Sequence, residues 1–404
     1  MSFVAVSWQG KVISLVPEAL LVIGFTEDHE LFRDSLRRFV QQELVPHVEK
    51  WEEREQTPRS VFERMGELGF LGAEFPLEFG GAGGDFWMTM VLAEELARCR
   101  SGGVAFSIIV HTDMSSPWLV RFGTEKQKRR YLPEIVKGTK ICALAITEPD
   151  AGSDMAALST RAVRDGDDWI LTGSKTFITN GVHGDLYFVA ARTREQGPRR
   201  ERLSQFLVER NSPGFSVGRK LKKTGMWASD TAELVFDEVR VPGENLLGEE
   251  GRGFHQLVSG LQRERLTAAA LCVSATEQVL EDCAEYLNQR QAFGRPLSRF
   301  QALSHRLADM ATEKEAARQL TYHAASLFAV GEECAREVSM SKLYATEMAN
   351  RVAYQAVQMH GGYGYMREYA VERFARDYRL WPIASGTSEI MREIISRDLL
   401  QKSP

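Results

Sequence analysis

The sequence lacks the marks of several protein classes. Its five cysteines (Cys99, Cys142, Cys272, Cys283, Cys334) are odd in number, scattered and never in C-x-x-C spacing. That argues against a disulfide framework or a zinc ribbon and fits a reducing compartment. None of the eight histidines stands in an H-E-x-x-H pair, so no metal site is expected. No G-x-S-x-G nucleophile elbow is present. The glycine-rich run at 79–84 has neither the preceding strand nor the spacing of a dinucleotide fingerprint, so it signals a loop and no NAD site. Basic residues do not outnumber acids: 50 Lys and Arg against 55 Asp and Glu give a formal net charge of −5. There is no global attraction to nucleic acid or acidic membranes, and no appended basic domain. Nor is there a membrane-length apolar run. Val12 to Ile23 is interrupted by Pro17 and Glu18, no clear A-x-A cleavage site follows, and the first 24 residues contain no arginine. They are expected to be an extension outside the main folded part, and the chain is expected in the cytoplasm.

What is present is enough chain, 404 residues, for two or three modules with a large core. From Phe25 the pattern is helical: Thr26 is a candidate N-cap, with Glu27, Asp28 and Glu30 in the first turn and Phe32, Leu36, Phe39 and Val40 on one face. Further helices are expected at 61–68, 86–98 and 125–136. Short runs rich in β-branched and aromatic residues follow at 169–171, 176–179, 186–191, 205–208 and 233–241, which predicts a compact antiparallel unit. After Pro242 the helical pattern returns, with segments near 252–290, 300–330, 333–358 and 386–400 long enough for a four-helix bundle. The expected organisation is an extension (1–24), an N-terminal helical domain (25–140), a central β domain (141–245) and a C-terminal helical bundle (246–404).

Four stretches could carry chemistry. Cys142 to Asp154 begins as a strand-length apolar run and ends in turn chemistry, with Pro149, Asp150 and Gly152 shaping the turn and Thr147 and Ser153 offering hydroxyls. Such a turn could cradle an anionic cofactor or be only a loop. In the helix after Gly253, Leu257, Leu261, Ala268, Leu271, Ala275 and Val279 form one apolar stripe, and Glu264 lies on it. A carboxylate there is costly to ionise unless it is paired or faces a polar cavity. The plainer alternative is an edge glutamate that reaches solvent or meets an arginine. Gly361–Tyr365 breaks the helical pattern, and Gly386–Glu389 opens the last helix, where free N–H groups could face a phosphate; each could also be a mere helix boundary. The S-x-x-K spacing at Ser339–Lys342 and the K-T-G at Lys223–Gly225 occur in the wrong order, the former inside a helical pattern, and read as coincidence.

Together these motifs resemble the acyl-CoA dehydrogenase family from Phe25 to Leu400. The carriers are A-I-T-E-P-D-A-G-S-D (145–154), G-S-K-T-F-I-T-N-G (173–181), R-Q-A-F-G (290–294) and Q-M-H-G-G-Y-G (358–364), with R-E-R-L (263–266) most like the long-chain branch. The resemblance implies a mainly α fold with a central β domain, bound FAD, and oxidation of an acyl-CoA to its trans-2-enoyl-CoA. It also implies electron-transfer flavoprotein as acceptor, and a homotetramer built as a dimer of dimers. By position, the main chain of Leu144, Ile146 and Thr147 and the Thr147 hydroxyl would line the flavin, with Phe177 and Thr179 covering its other side. Arg290, Phe293, Gln301, Gln358, Gly361, Gly362, Thr387 and Glu389 would reach FAD; Arg290 and the 358–362 loop would meet there from two different chains. Ser153, Gln262, Arg265, Ser385 and Gly386 would contact substrate.

Many family members carry the catalytic glutamate just before the G-T pair, where this chain has Ser385. The isovaleryl and long-chain branches place it before an arginine on the earlier helix, which here is Glu264 before Arg265. The resemblance therefore implies that Glu264 removes the α proton while the β hydride passes to flavin N5, with the Ser385 N–H and a ribityl hydroxyl polarising the thioester. An oxidase or other flavoenzyme on the same fold is the alternative reading, and a non-catalytic binding protein a more remote one.

Overall fold

The computed structural model describes residues 25–401 and, ahead of them, the backbone of two strands, β1 (Phe3–Trp8) and β2 (Lys11–Pro17), which pair antiparallel. The rest of the expected extension lies outside the described residues.

Among the described residues, seven α-helices follow: α1 (Glu27–Phe39), α2 (Val48–Arg54), α3 (Arg59–Glu67), α4 (Phe86–Ala97), α5 (Gly102–Ile109), α6 (Ser116–Phe122) and α7 (Glu125–Val136). Thr26 begins α1, its N–H donating to His29 Nδ1 at 2.9 Å, with three acids in the first turn. Between α5 and α6 the chain widens into a π-helical turn, Val110–Ser115, wholly buried. The sequence reading missed α5. All eight of its residues are buried, so no polar face exists to set a period.

The middle of the chain is β3 (Cys142–Ala145), β4 (Arg161–Asp165), β5 (Asp168–Thr179), β6 (Leu186–Arg192), β7 (Leu203–Glu209), β8 (Phe215–Lys220), β9 (Thr231–Val241) and β10 (Leu246–Leu247). They form one sheet in the order β10-β7-β6-β4-β5-β9-β8, with β3 alongside β6. The sheet is mainly antiparallel, as expected, with two parallel pairings onto β6: β3, with Cys142 opposite Leu186 through Ala145 opposite Val189, and β4, with Arg161 opposite Arg192. The two runs expected at 169–171 and 176–179 are one strand. Gly173 joins them at φ +151°, where a Cβ would sit 2.6 Å from Thr160 Oγ1. The sheet continues through β10 to Leu247, paired with Gln205.

The C-terminal part holds α8 (Gly253–Gln289), a small hairpin of β11 (Gln291–Ala292) and β12 (Arg295–Pro296), α9 (Gln301–Ala329), α10 (Ala335–His360), α11 (Ala370–Tyr378) and α12 (Ser388–Gln401). The fold is thus an N-terminal helical domain, a β domain and a C-terminal helical domain. One apolar core runs through both helical parts, because α8 packs against α10 and α9 on one side and α4 on the other. Glu264 lies in the first third of that shared helix.

Candidate active site

Glu264 is buried, 4% exposed, on the inward face of α8. One carboxylate oxygen, Oε2, accepts from the Ser385 hydroxyl at 3.1 Å, while Oε1 is buried without a partner. It neither reaches solvent nor pairs with Arg265, whose Nε instead donates to the Ser385 carbonyl at 3.1 Å. Burial pushes the Glu264 carboxyl up to about 7; the Ser385 hydroxyl pulls against this, the Asp113 charge adds to it, and Arg265 opposes it weakly.

The turn that meets Glu264 is held by its backbone. Ser385 sits at φ +53°, an uncommon left-handed conformation for a side-chain-bearing residue, and Gly386 at φ +98°. A Cβ on Gly386 would lie 2.9 Å from Met391 Cε and 3.3 Å from Arg265 Nη2. The Lys342 ammonium, fully buried, donates to the Gly386 carbonyl at 2.6 Å. This is where the lysine of the S-x-x-K spacing goes; Ser339 bonds its own helix at the Ala335 carbonyl. Beyond the turn, the Thr387 hydroxyl caps α12 by accepting from the Ile390 N–H at 3.3 Å, and Glu389 is exposed in the first turn.

A second group stands at the end of β3. Leu144, Ile146 and Thr147 are half-buried, with Ser153 exposed beyond them. A buried lysine fixes their main chain. Lys175 Nζ donates to the Ile146 carbonyl at 2.9 Å and to Glu148 Oε1 at 2.8 Å, and the Thr176 N–H donates to the Thr147 carbonyl at 2.9 Å. Glu148 also accepts from the Ser159 N–H and hydroxyl and the Thr160 N–H. Burial pushes the Glu148 carboxyl up, but Lys175 and these donors prevail and hold it at about 2. The sequence reading gave this pair no role, although Lys175 is a buried charge on β5 and Glu148 a buried charge in the turn after β3. On β5, a register shift between Lys175 and Ile178 turns Phe177 outward at φ +61° and 69% exposed, while Thr179 is buried.

The third group is exposed. Arg290 follows α8, and its guanidinium lies 5.4 Å from the centre of the Tyr363 ring. The Tyr286 hydroxyl donates to the His360 carbonyl at 3.1 Å, tying the same helix end to the 361–365 turn. Within one chain, α8 and α10 run side by side and bring Arg290 close to the 361–365 turn. Phe293, at the tip of the β11–β12 hairpin, is 95% exposed, and Gln301, Gln358, Gly361 and Gly362 are exposed around it or on the neighbouring helix ends. Gln262 is half-buried on α8, its amide oxygen 3.8 Å from the Cys334 thiol. No hydrogen bond or ion pair among the described residues ties this exposed group to Thr147 or Glu264.

Three family descriptions match the chain in order: acyl-CoA dehydrogenase N-terminal domain over 26–139, middle domain over 143–239 and C-terminal domain over 251–400. The chain belongs to the acyl-CoA dehydrogenase family. It is 42% identical to the mitochondrial long-chain specific acyl-CoA dehydrogenase of Mus musculus, over 94% of this chain and 88% of that one. Among solved structures it is similar to an acyl-CoA dehydrogenase from Geobacillus kaustophilus, with a TM-score of 0.91, 45% identity, and 93% and 99% of the two chains covered. It is also similar to an acyl-CoA dehydrogenase from Bacillus anthracis solved with FAD, with a TM-score of 0.88, 33% identity, and 94% and 67% covered. Acyl-CoA dehydrogenases are FAD-dependent oxidoreductases, and this chain is one of them. Its surface fits the group: an outward Phe177 ring, a half-buried stretch at Ile146 and Thr147 just past β3 whose main chain Lys175 pins, and two glycines at 361–362 whose added Cβ would meet nothing within 4 Å.

Proposed function

We propose that this enzyme removes the α proton and β hydride of an acyl-CoA thioester to give the trans-2-enoyl-CoA, with Glu264 as the base. The observation that carries the reading is a buried carboxylate whose one oxygen is bonded and whose other is free, with a proton affinity near neutrality. An ordinary carboxylate is too weak a base for an α C–H, and burial strengthens it toward the working pH. Bound FAD supplies the hydride acceptor. The chain's residues do the rest. Glu264 Oε1 takes the proton, and the Ser385 hydroxyl steadies Oε2. The Ser385 N–H polarises the thioester oxygen, a contribution typically worth about 3–4 kcal/mol per donor as negative charge develops.

Leu144, Ile146, Thr147, Phe177 and Thr179 are assigned to the flavin. Arg290, Phe293, Gln301, Gln358, Gly361, Gly362, Thr387 and Glu389 are assigned to FAD by family resemblance. Ser153, Gln262, Arg265 and Gly386 are assigned to the substrate side. Electron-transfer flavoprotein as acceptor and a homotetramer follow from the same resemblance. That Arg290 and the 361–362 turn share one exposed face supports their acting as a unit, and a monomer retaining FAD and full activity would contradict the tetramer. The function is tested by anaerobic titration of the FAD-loaded protein with straight and branched acyl-CoAs. Flavin bleaching with stoichiometric enoyl-CoA is expected for at least one; a protein that takes up FAD and is bleached by none refutes it.

A further inference from the structure

Beside Glu264 lies a second polar network inside an otherwise apolar core. Arg263 Nη1 and Nη2 donate to Glu74 Oε2 and Oε1 at 2.7 Å each, Nη2 also reaches the Thr89 hydroxyl at 2.7 Å, and Nε bonds Asp113 Oδ1. The other Asp113 oxygen accepts from the Thr267 hydroxyl at 2.7 Å. The Arg263 and Glu74 side chains are 15% and 17% exposed and that of Asp113 only 1%. Arg263 precedes Glu264 by one residue and Thr267 follows it by three, so Asp113 is clamped to the same turn of α8 as Glu264. Glu74, Thr89 and Asp113 all belong to the N-terminal helical domain, and Asp113 is carried on the π-helical turn. π turns of this kind occur often at functional sites. A buried ion triad is a poor way to gain stability, because apolar side chains of like volume often do as well. Its position suggests another use.

We propose that Asp113 is a positioning residue for Glu264: with Arg263 and Thr267 it fixes this turn of α8 against the N-terminal domain and holds a negative charge beside the base. The proposal rests on the assignment of Glu264 as base. The charged groups facing Glu264 are Asp113 from the π turn and Arg265 from its own helix; the 385–386 turn presents only a hydroxyl. Arg263 and Glu74 stand one bond further out. Burial pushes the Asp113 carboxyl up and the Arg263 guanidinium pulls against that; the ion pair between Arg263 Nε and Asp113 Oδ1 is what marks it as a charged neighbour. Asp113 in turn makes Glu264 hold its proton more tightly, in the sense a base needs.

The test uses the full FAD-loaded chain. The rate of anaerobic flavin reduction by saturating palmitoyl-CoA is followed against pH in single turnovers. In parallel, infrared titration follows the protonated carboxyl band of Glu264, assigned by its loss in Glu264→Gln. Asp113→Asn keeps the volume but removes the charge. Both the acid limb of the rate and the infrared midpoint should move to lower pH, by up to about one unit, the lower end of what a neighbouring charge does. Glu74→Gln, at the half-buried end, should move both the same way by less, and it stands in should Asp113→Asn not fold. A purely structural network would change stability and leave both midpoints in place; that result in a folded, FAD-replete variant overturns the proposal. Failure of the base assignment is distinguishable: Glu264→Gln would then reduce its flavin at the wild-type rate, while the infrared midpoint would still report on Asp113.

Discussion

Ser385→Ala removes one hydrogen bond and leaves the backbone N–H in place. In the wild type the hydroxyl donates to Glu264 Oε2 at 3.1 Å. That bond favours the ionised carboxylate and pulls against burial, which sets the group at about 7. A hydrogen bond to a charged acceptor contributes about 1.5–3 kcal/mol, part of which the protonated form keeps. A differential of about 1.4 kcal/mol, or one pH unit, is therefore the reasonable size. The sign is fixed: the variant should hold its proton more tightly, and its acid limb should move up by about one unit. At pH 7 the ionised fraction would fall from about one half to about one tenth, a loss of roughly five-fold that vanishes about two units higher. The assay is the pH dependence of anaerobic flavin reduction by saturating acyl-CoA. An acid limb that stays put or moves down would refute the reasoning, and a loss persisting at high pH would mean that the hydroxyl touches substrate.

Glu264→Gln should be more stable than the wild type at pH 8 and no more stable at pH 4. The folded carboxyl holds its proton to about 7 against an ordinary 4.5. The cost of ionising it is thus absent below the ordinary value, grows between the two, and is complete above 7, at roughly 3–4 kcal/mol; denaturant unfolding at the two pH values measures it. Lys175→Met strips the paired cation from a buried carboxylate and the anchor from the Ile146 carbonyl. It should cost about 3–5 kcal/mol and loosen FAD, both visible in one thermal melt followed by flavin fluorescence.

How much could be read beforehand depends on whether a residue's role is local. The order of helices, sheet and helices was legible because amphipathic period and β-branched runs are local signals. Helix α5 was not, since burial on all sides erases the period. Glu264 stood out as a carboxylate on an apolar stripe, but its partner did not. Ser385 lies 121 residues away and reaches it only through a left-handed turn clamped by Lys342 and Arg265. The Lys175–Glu148 pair and the Arg263 triad were hidden for the same reason, because each joins residues that only the folded chain brings together. Arg290 and Tyr363 lie close although 73 residues separate them, because α8 and α10 run in the same direction and end side by side, a proximity that no local pattern announces.

The central claim is that Glu264 is the base. The most direct measurement is single-turnover flavin reduction in Glu264→Gln with saturating acyl-CoA, in protein that retains its fold and FAD. Gln is nearly as good a helix former as Glu, so α8 should survive. The account predicts that the rate falls by at least the ~10²–10⁴ typical of a lost general base. Flavin reduction at close to the wild-type rate would contradict it, and the proton would have to leave by another route.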